Sequence, residues 1–170
     1  MNLELIAMRW LIYEKKCEYA LFERSPRAIF CGEPDVLGIT KDRHLVEIEI
    51  KRTLSDFKQD RIKRSRNPII RDMYIDRFPR QFYYLVPSEL ENKVAAEVPE
   101  WSGLMKCSHA IEIVRRAPIN FKAKRLSVKE CLKMVRSMAN HSFSVLQKYQ
   151  SAIARFQEGE WSWPEPMYEI

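Results

Sequence analysis

Between Leu45 and Lys51 the chain alternates with period two, and this short stretch constrains the fold more than any other part of the sequence. Val46, Ile48 and Ile50 fall on one face of a strand, and Glu47, Glu49 and Lys51 share the other. Upstream, residues 35–40 read as a second short strand, with Lys41-Asp42-Arg43 as the turn between them. Together they predict an antiparallel hairpin centred on Asp42. That register sets Asp35 directly opposite Glu49, with Cβ atoms about 4.5–5.5 Å apart. Two carboxylates so placed repel unless a cation sits between them.

An oxygen-rich pair of this kind suits Mg²⁺ or Mn²⁺, held by one or two carboxylates, a backbone carbonyl such as that of Ile50, waters and a substrate phosphate. The expected metal ligands are Asp35 and Glu49, with Glu47 assisting through a water. Lys51 reaches the same centre, either to orient a water or to neutralise charge in a transition state. A Glu-x-Glu-x-Lys strand also serves as a plain solvated sheet face with cross-strand pairing. Two neighbours raise this one above that reading: the acid across the hairpin and the basic segment that follows.

The chain carries 29 Lys and Arg against 23 Asp and Glu, a formal charge of +6. That balance favours a polyanionic partner only if the excess is concentrated. It is: Lys51, Arg52, Lys58, Arg61, Lys63, Arg64, Arg66, Arg71, Arg77 and Arg80 all follow closely on the acids. A helix starting near Thr53, with Asp56 in a capping-box position, is expected over about 54–65. Its Lys58, Arg61, Lys63 and Arg64 would neutralise DNA phosphates without reading sequence, or form a solvated helix face.

These motifs resemble the PD-(D/E)xK nuclease superfamily. Pro34-Asp35 and Glu49-Ile50-Lys51 match its signature. The order Ser55-Asp56-Phe57-Lys58-Gln59-Asp60-Arg61, Asp76-Arg77-Phe78, Phe82 to Pro87 and Val98 to Met105 is similar to the MmcB-like DNA-repair branch and related phage or bacterial proteins, over roughly residues 30 to 118. The resemblance implies a restriction-endonuclease-like core. It also implies metal binding by Asp35 and Glu49, and a catalytic role for Lys51. The sequence departs from that pattern at 71–80, which holds Pro79 and extra arginines, and in its C-terminal segment.

Around these motifs the chain reads as α/β, a mixed sheet flanked by helices. Leu3, Ile6, Ala7, Trp10 and Leu11 recur at helical spacing, and Glu4, Glu14 or Glu18 from that helix would supply a third acid or face solvent. An irregular arginine-rich link is expected after the basic helix. Phe82 to Val86 reads as a buried central strand, 88–96 as helical, and 103–107 and 110–114 as two late strands. Ser127 and Glu130 form a second capping box, after which Val128, Cys131, Leu132, Val135 and Met138 recur at helical spacing. Val145, Leu146, Tyr149, Ile153 and Phe156 continue that stripe, which would pack on the sheet or form a homodimer face. Trp161-Ser162-Trp163-Pro164 ends the helical pattern.

With 170 residues, 46 % of them hydrophobic, the chain can bury one core. We expect residues 1–120 to form the α/β core and 121–170 a C-terminal helical extension packed as part of one domain. The four scattered cysteines form no Cys-x-x-Cys pair, and Cys107 with His109 makes only an incomplete ligand set. No apolar run of membrane-spanning length and no secretory segment is evident, which predicts a cytoplasmic protein without a membrane partner. The expected function is a Mg²⁺-dependent (or Mn²⁺-dependent) DNA nuclease in DNA repair or phage DNA metabolism. The alternative is a non-catalytic nucleic-acid-binding module on a nuclease-derived fold.

Overall fold

The computed structural model describes residues 2–22, 34–61, 68–137, 139, 147 and 150. Six strands form one sheet in chain order: β1 (Tyr19–Phe22), β2 (Val36–Ile39), β3 (Leu45–Ile50), β4 (Gln81–Pro87), β5 (Gly103–Cys107) and β6 (Ile111–Arg115). β1 to β3 pair antiparallel, β3 to β5 parallel, and β6 antiparallel to β5. Parallel neighbours need crossovers, and these carry helices. α2 (Leu54–Arg61) and α3 (Pro68–Met73) connect β3 to β4, and α4 (Glu91–Val94) lies between β4 and β5. α1 (Leu3–Arg9) opens the chain and runs into a π-helical turn, Trp10–Glu14; residues 128–137, here α5, are helical, as are the described residues 139, 147 and 150.

β4 shows why the sheet is covered on both sides. Tyr83 and Leu85 join Leu3, Ala7 and Leu11 of the N-terminal helix in one core, together with Val46, Ile48 and Ile50. Phe82, Tyr84 and Val86 join Phe57 of α2 and Val94 of α4 in another. A strand buried on both faces reads as a continuous apolar run, as 82–86 does. A third cluster packs Leu126 and Met134 onto Leu21, Leu37, Ile39 and Leu45. The start of the C-terminal segment therefore belongs to the same body as the sheet.

The hairpin forms as expected. Thr40 N–H donates to the His44 carbonyl at 2.9 Å and Arg43 N–H to the Thr40 carbonyl at 2.8 Å, while Arg43 adopts φ 62° to close the turn. α2 starts at its cap, where Asp56 N–H donates to Thr53 Oγ1 at 3.1 Å. The second capping box is reciprocal: Glu130 N–H donates to Ser127 Oγ at 3.2 Å, and Ser127 N–H donates to Glu130 Oε2 at 2.8 Å. The hydrogen bond from Lys124 Nζ, then those from the Ser127 N–H and hydroxyl, hold the Glu130 carboxyl down at about 2.

Three expectations are corrected. The arginine-rich link after α2, expected to be irregular, contains α3 and a 3₁₀ turn, Ile75–Arg77. Pro68 occupies the first helical position, where its fixed φ suits a helix start, and Arg71 lies 5.1 Å from the Trp101 ring centroid. β1 was not anticipated, because four residues with Tyr19 exposed carry too short an alternation to stand out. On α5 Cys131 of the expected stripe packs inward beside Met134, whereas Val128 and Leu132 of that stripe are 57 % and 50 % exposed. The helix is turned so that its i, i+3 row meets the sheet. The continuation of the stripe from Val145 to Phe156 and the tryptophan-rich tail lie outside the described residues, as do Lys63, Arg64 and Cys31.

Gly103 makes a sharp test of the β4–β5 packing. A Cβ there would overlap the Tyr83 ring and stand 2.7 Å from the Ala117 backbone nitrogen. Backbone cannot yield as a flexible side chain can, so Gly103→Ala is expected to destabilise the protein by about 1–3 kcal/mol, read as a lower urea midpoint.

Candidate active site

The β2–β3 ladder pairs Val36 with Ile48 and Leu37 with Glu47. One step further it sets Asp35 across from Glu49, the register that the turn at Asp42 predicts. The Asp35 carboxylate is held by the strand itself: Ile50 N–H donates to Asp35 Oδ2 at 2.7 Å. The next ladder position would bring Pro34 opposite Ile50, and proline has no N–H to give the Ile50 carbonyl. That carbonyl lies on the same side of β3 as the Ile50 N–H, the side of Asp35.

These groups open onto one cleft of about 540 Å³, lined by Glu4, Asp35, Glu49, Ile50, Lys51, Arg52 and Asp56. Asp35, Glu49 and Lys51 are therefore brought together, from the start of β2 and the end of β3. Glu47 is not at the cleft. It sits lower on β3, buried between Leu37 of β2 and Phe82 of β4. Of the three N-terminal glutamates only Glu4 lines the cleft, where both its oxygens lie within hydrogen-bonding distance of an Arg52 guanidinium nitrogen, at 2.7 and 2.8 Å. Lys58 is exposed on α2, and the side chain of Arg61 lies outside the described residues. Cys107 is a core residue and His109 is exposed, so the two form no ligand pair.

Lys51 is the electrostatic centre. Its side chain is 4 % exposed, and its Nζ lies 2.8 Å from Glu49 Oε1, 3.4 Å from Asp60 Oδ1 and 3.7 Å from Asp56 Oδ1. Burial by itself pulls the Lys51 pKa down. The charge and hydrogen bond of Glu49, supported by Asp60 and Asp56, outweigh burial and leave the pKa above the ordinary lysine value. Lys51 is a cation at neutral pH. Asp60 is in turn positioned by Tyr84, whose hydroxyl donates to Asp60 Oδ2 at 2.9 Å.

Asp56, Asp60 and Tyr84 are the site residues that reading the sequence overlooked. A signal was there: Asp56 and Asp60 stand one helical turn apart on α2, with Phe57 between them turned toward the core, so both acids share a face directed at Lys51. Among the described residues no group of three or more His, Cys, Asp and Glu side chains is placed to hold a metal ion. None of the described helices is long and apolar enough to cross a membrane.

No family model matches the chain, and no curated protein matches it. Among solved structures, a protein of unknown function from Silicibacter pomeroyi is similar over 77 % of this chain and 78 % of its own, with a TM-score of 0.50 and 22 % identity. At that identity the likeness speaks to the fold alone, an α/β arrangement of a mixed sheet and several helices.

Proposed function

We propose that the chain is a metal-dependent deoxyribonuclease of the PD-(D/E)xK kind, with a restriction-endonuclease-like core and a setting in DNA repair or phage DNA metabolism, as in the MmcB-like branch. The observation that carries this reading is the hairpin register, which puts Asp35 opposite Glu49 at a cleft that Lys51 also enters. Hard oxygen donors of this number fit Mg²⁺ or Mn²⁺, which takes one or two carboxylates and fills its remaining positions with carbonyl oxygen, water and substrate phosphate. Asp35, Glu49 and the Ile50 carbonyl would hold it. Such an ion supplies Lewis acidity and water activation when bound.

The chain's own residues do the rest. The raised pKa of Lys51 supports a standing positive charge that stabilises negative charge on the phosphoryl oxygens, rather than a proton acceptor. Asp60, itself held by Tyr84, helps to fix the buried ammonium beside the cleft. Glu4 restrains Arg52 at its rim, and the exposed Lys58 on α2 extends the positive charge toward a DNA backbone.

One observation favours a second reading, a nucleic-acid-binding module that no longer cleaves. Glu49 already has a cationic partner in Lys51 at 2.8 Å, so it has a counter-charge without a divalent ion. Incubating the protein with single-stranded, duplex and branched DNA separates the two. The nuclease reading expects cleavage with Mg²⁺ or Mn²⁺ that stops on adding chelator. Retarded DNA with no product under any of these conditions would sink it and leave the binding module.

A further inference from the structure

The chain that follows β6 folds back across the end of the sheet opposite the cleft. Asn120 anchors it: its N–H donates to the Arg80 carbonyl at 2.8 Å, and its side-chain amide donates to the carbonyls of Ile75 at 2.8 Å and Pro79 at 3.4 Å. Lys122 N–H closes on Asn120 Oδ1 at 3.1 Å. Further along, Lys124 N–H donates to the Asp76 carbonyl, Arg125 Nε to the Asp42 carbonyl and Leu126 N–H to the Arg43 carbonyl. The turn at 121–122 is thus clamped from both sides, yet the residue at its tip, Phe121, is 78 % exposed.

Single exposed aromatics are ordinary. Phe121 differs in what surrounds it. The Arg80 guanidinium lies 5.7 Å from its ring centroid, covering one side and leaving the rest of the ring to solvent. Arg77 stacks in the same way on Tyr74, with 5.4 Å between guanidinium carbon and ring centroid. Arg43, Lys122 and Arg125 come from the segments joined at this end, whose acids are Asp42 and Asp76. Lys124 adds nothing to that balance because Glu130 holds it at 2.7 Å. Cations interleaved with an exposed, rigidly presented aromatic ring match a polyanion that also carries flat apolar groups.

We propose that this end of the sheet binds single-stranded nucleic acid, with an unpaired base stacking on Phe121 and the phosphates running along Arg43, Arg77, Arg80, Lys122 and Arg125. A duplex keeps its bases stacked inside and offers only phosphates to such a surface, so the unpaired strand is preferred. The length of β3 separates this face from the cleft by roughly 20 Å. Binding here therefore does not depend on the cleft being catalytic.

The test is fluorescence anisotropy of the full chain with short labelled oligo-dU and oligo-U, in chelator and low salt. Phe121→Ala should weaken binding roughly 5- to 150-fold, and Phe121→Leu, which keeps the apolar contacts of the turn but not the ring, should weaken it similarly. Phe121→Tyr should bind like the wild type. Replacing Arg77 and Lys122 together by Gln should reduce the slope of log affinity against log salt by about 1.4. Binding of either strand with this pattern supports the proposal, and the tighter of the two identifies the sugar. Failure to bind both strands, unchanged affinity in Phe121→Ala, or equal binding of the matching duplex overturns it. None of these readouts involves cleavage, so the nuclease reading stands or falls separately.

Discussion

Lys51→Ala is expected to destabilise the protein by about 3–5 kcal/mol, the usual cost of breaking a buried ion pair from one side. The substitution removes an ammonium lying 2.8 Å from Glu49 and 3.4 Å from Asp60, whose side chains are 3 % and 0 % exposed. Lys51→Met separates charge from packing, because it keeps the apolar stem. Combining it with Glu49→Gln should recover only part of the loss, since the fully buried Asp60 still lacks its cation. The pH dependence has a definite sign. The folded pKa of Lys51 is raised, so its contribution is complete below the ordinary lysine value and is lost as pH rises through the folded pKa. Urea midpoints for wild type and Lys51→Met should therefore converge at strongly alkaline pH. A constant gap up to the point of base unfolding would contradict the ion-pair account. In conditions where Lys51→Met remains folded, the nuclease reading further expects turnover to fall about 10²–10³-fold with DNA binding little changed.

Asp35→Asn and Glu49→Gln should each abolish DNA cleavage and, with it, the stabilisation by divalent cations. In the wild type, Mg²⁺ or Mn²⁺ should raise the melting temperature with concentration, by an amount equivalent to about 2.7 kcal/mol at a hundred times the dissociation constant. Asp35→Asn is the cleaner of the two, because the amide oxygen can still accept the Ile50 N–H bond that ties Asp35 to β3. Its hairpin should form as before while one anionic ligand is gone. Glu49→Gln also weakens the Lys51 pair, so its apo stability should fall as well. Scanning calorimetry with and without metal reads both effects. A full metal-induced shift in Asp35→Asn would remove Asp35 from the site.

Local patterning carried a large share of this architecture. The alternation of 45–51 and the turn chemistry at Lys41-Asp42-Arg43 determined the β2–β3 register, because a slip of one residue would send Val46, Ile48 and Ile50 to the opposite face. The capping residues Thr53 and Ser127 marked where α2 and α5 begin, since their hydroxyls accept helix N–H groups whatever packs nearby. The apolar run 82–86 announced a strand covered on both faces. Asp35, Glu49 and Lys51 were legible for the same reason, being placed by one hairpin and one strand alternation.

What only the tertiary structure decided depends on contacts between distant segments. Nothing local to Lys51 reveals that Asp60 and Tyr84 help to hold its ammonium, since those groups come from α2 and β4. The pairing of Glu4 with Arg52 spans 48 residues, and it is the packing of α1 on the sheet that brings this glutamate, and not Glu14 or Glu18, to the cleft. Glu47 and Glu49 are indistinguishable by alternation. Both are buried, but Glu49 at the end of β3 lines the cleft, whereas Glu47 lies beside Leu37 and Phe82. The rotation of α5 follows from which of its rows fits the surface of β1 to β3, and helical spacing permits more than one. Period and capping are set by neighbours along the chain, whereas charge pairing and helix rotation are set by whatever lies across the core.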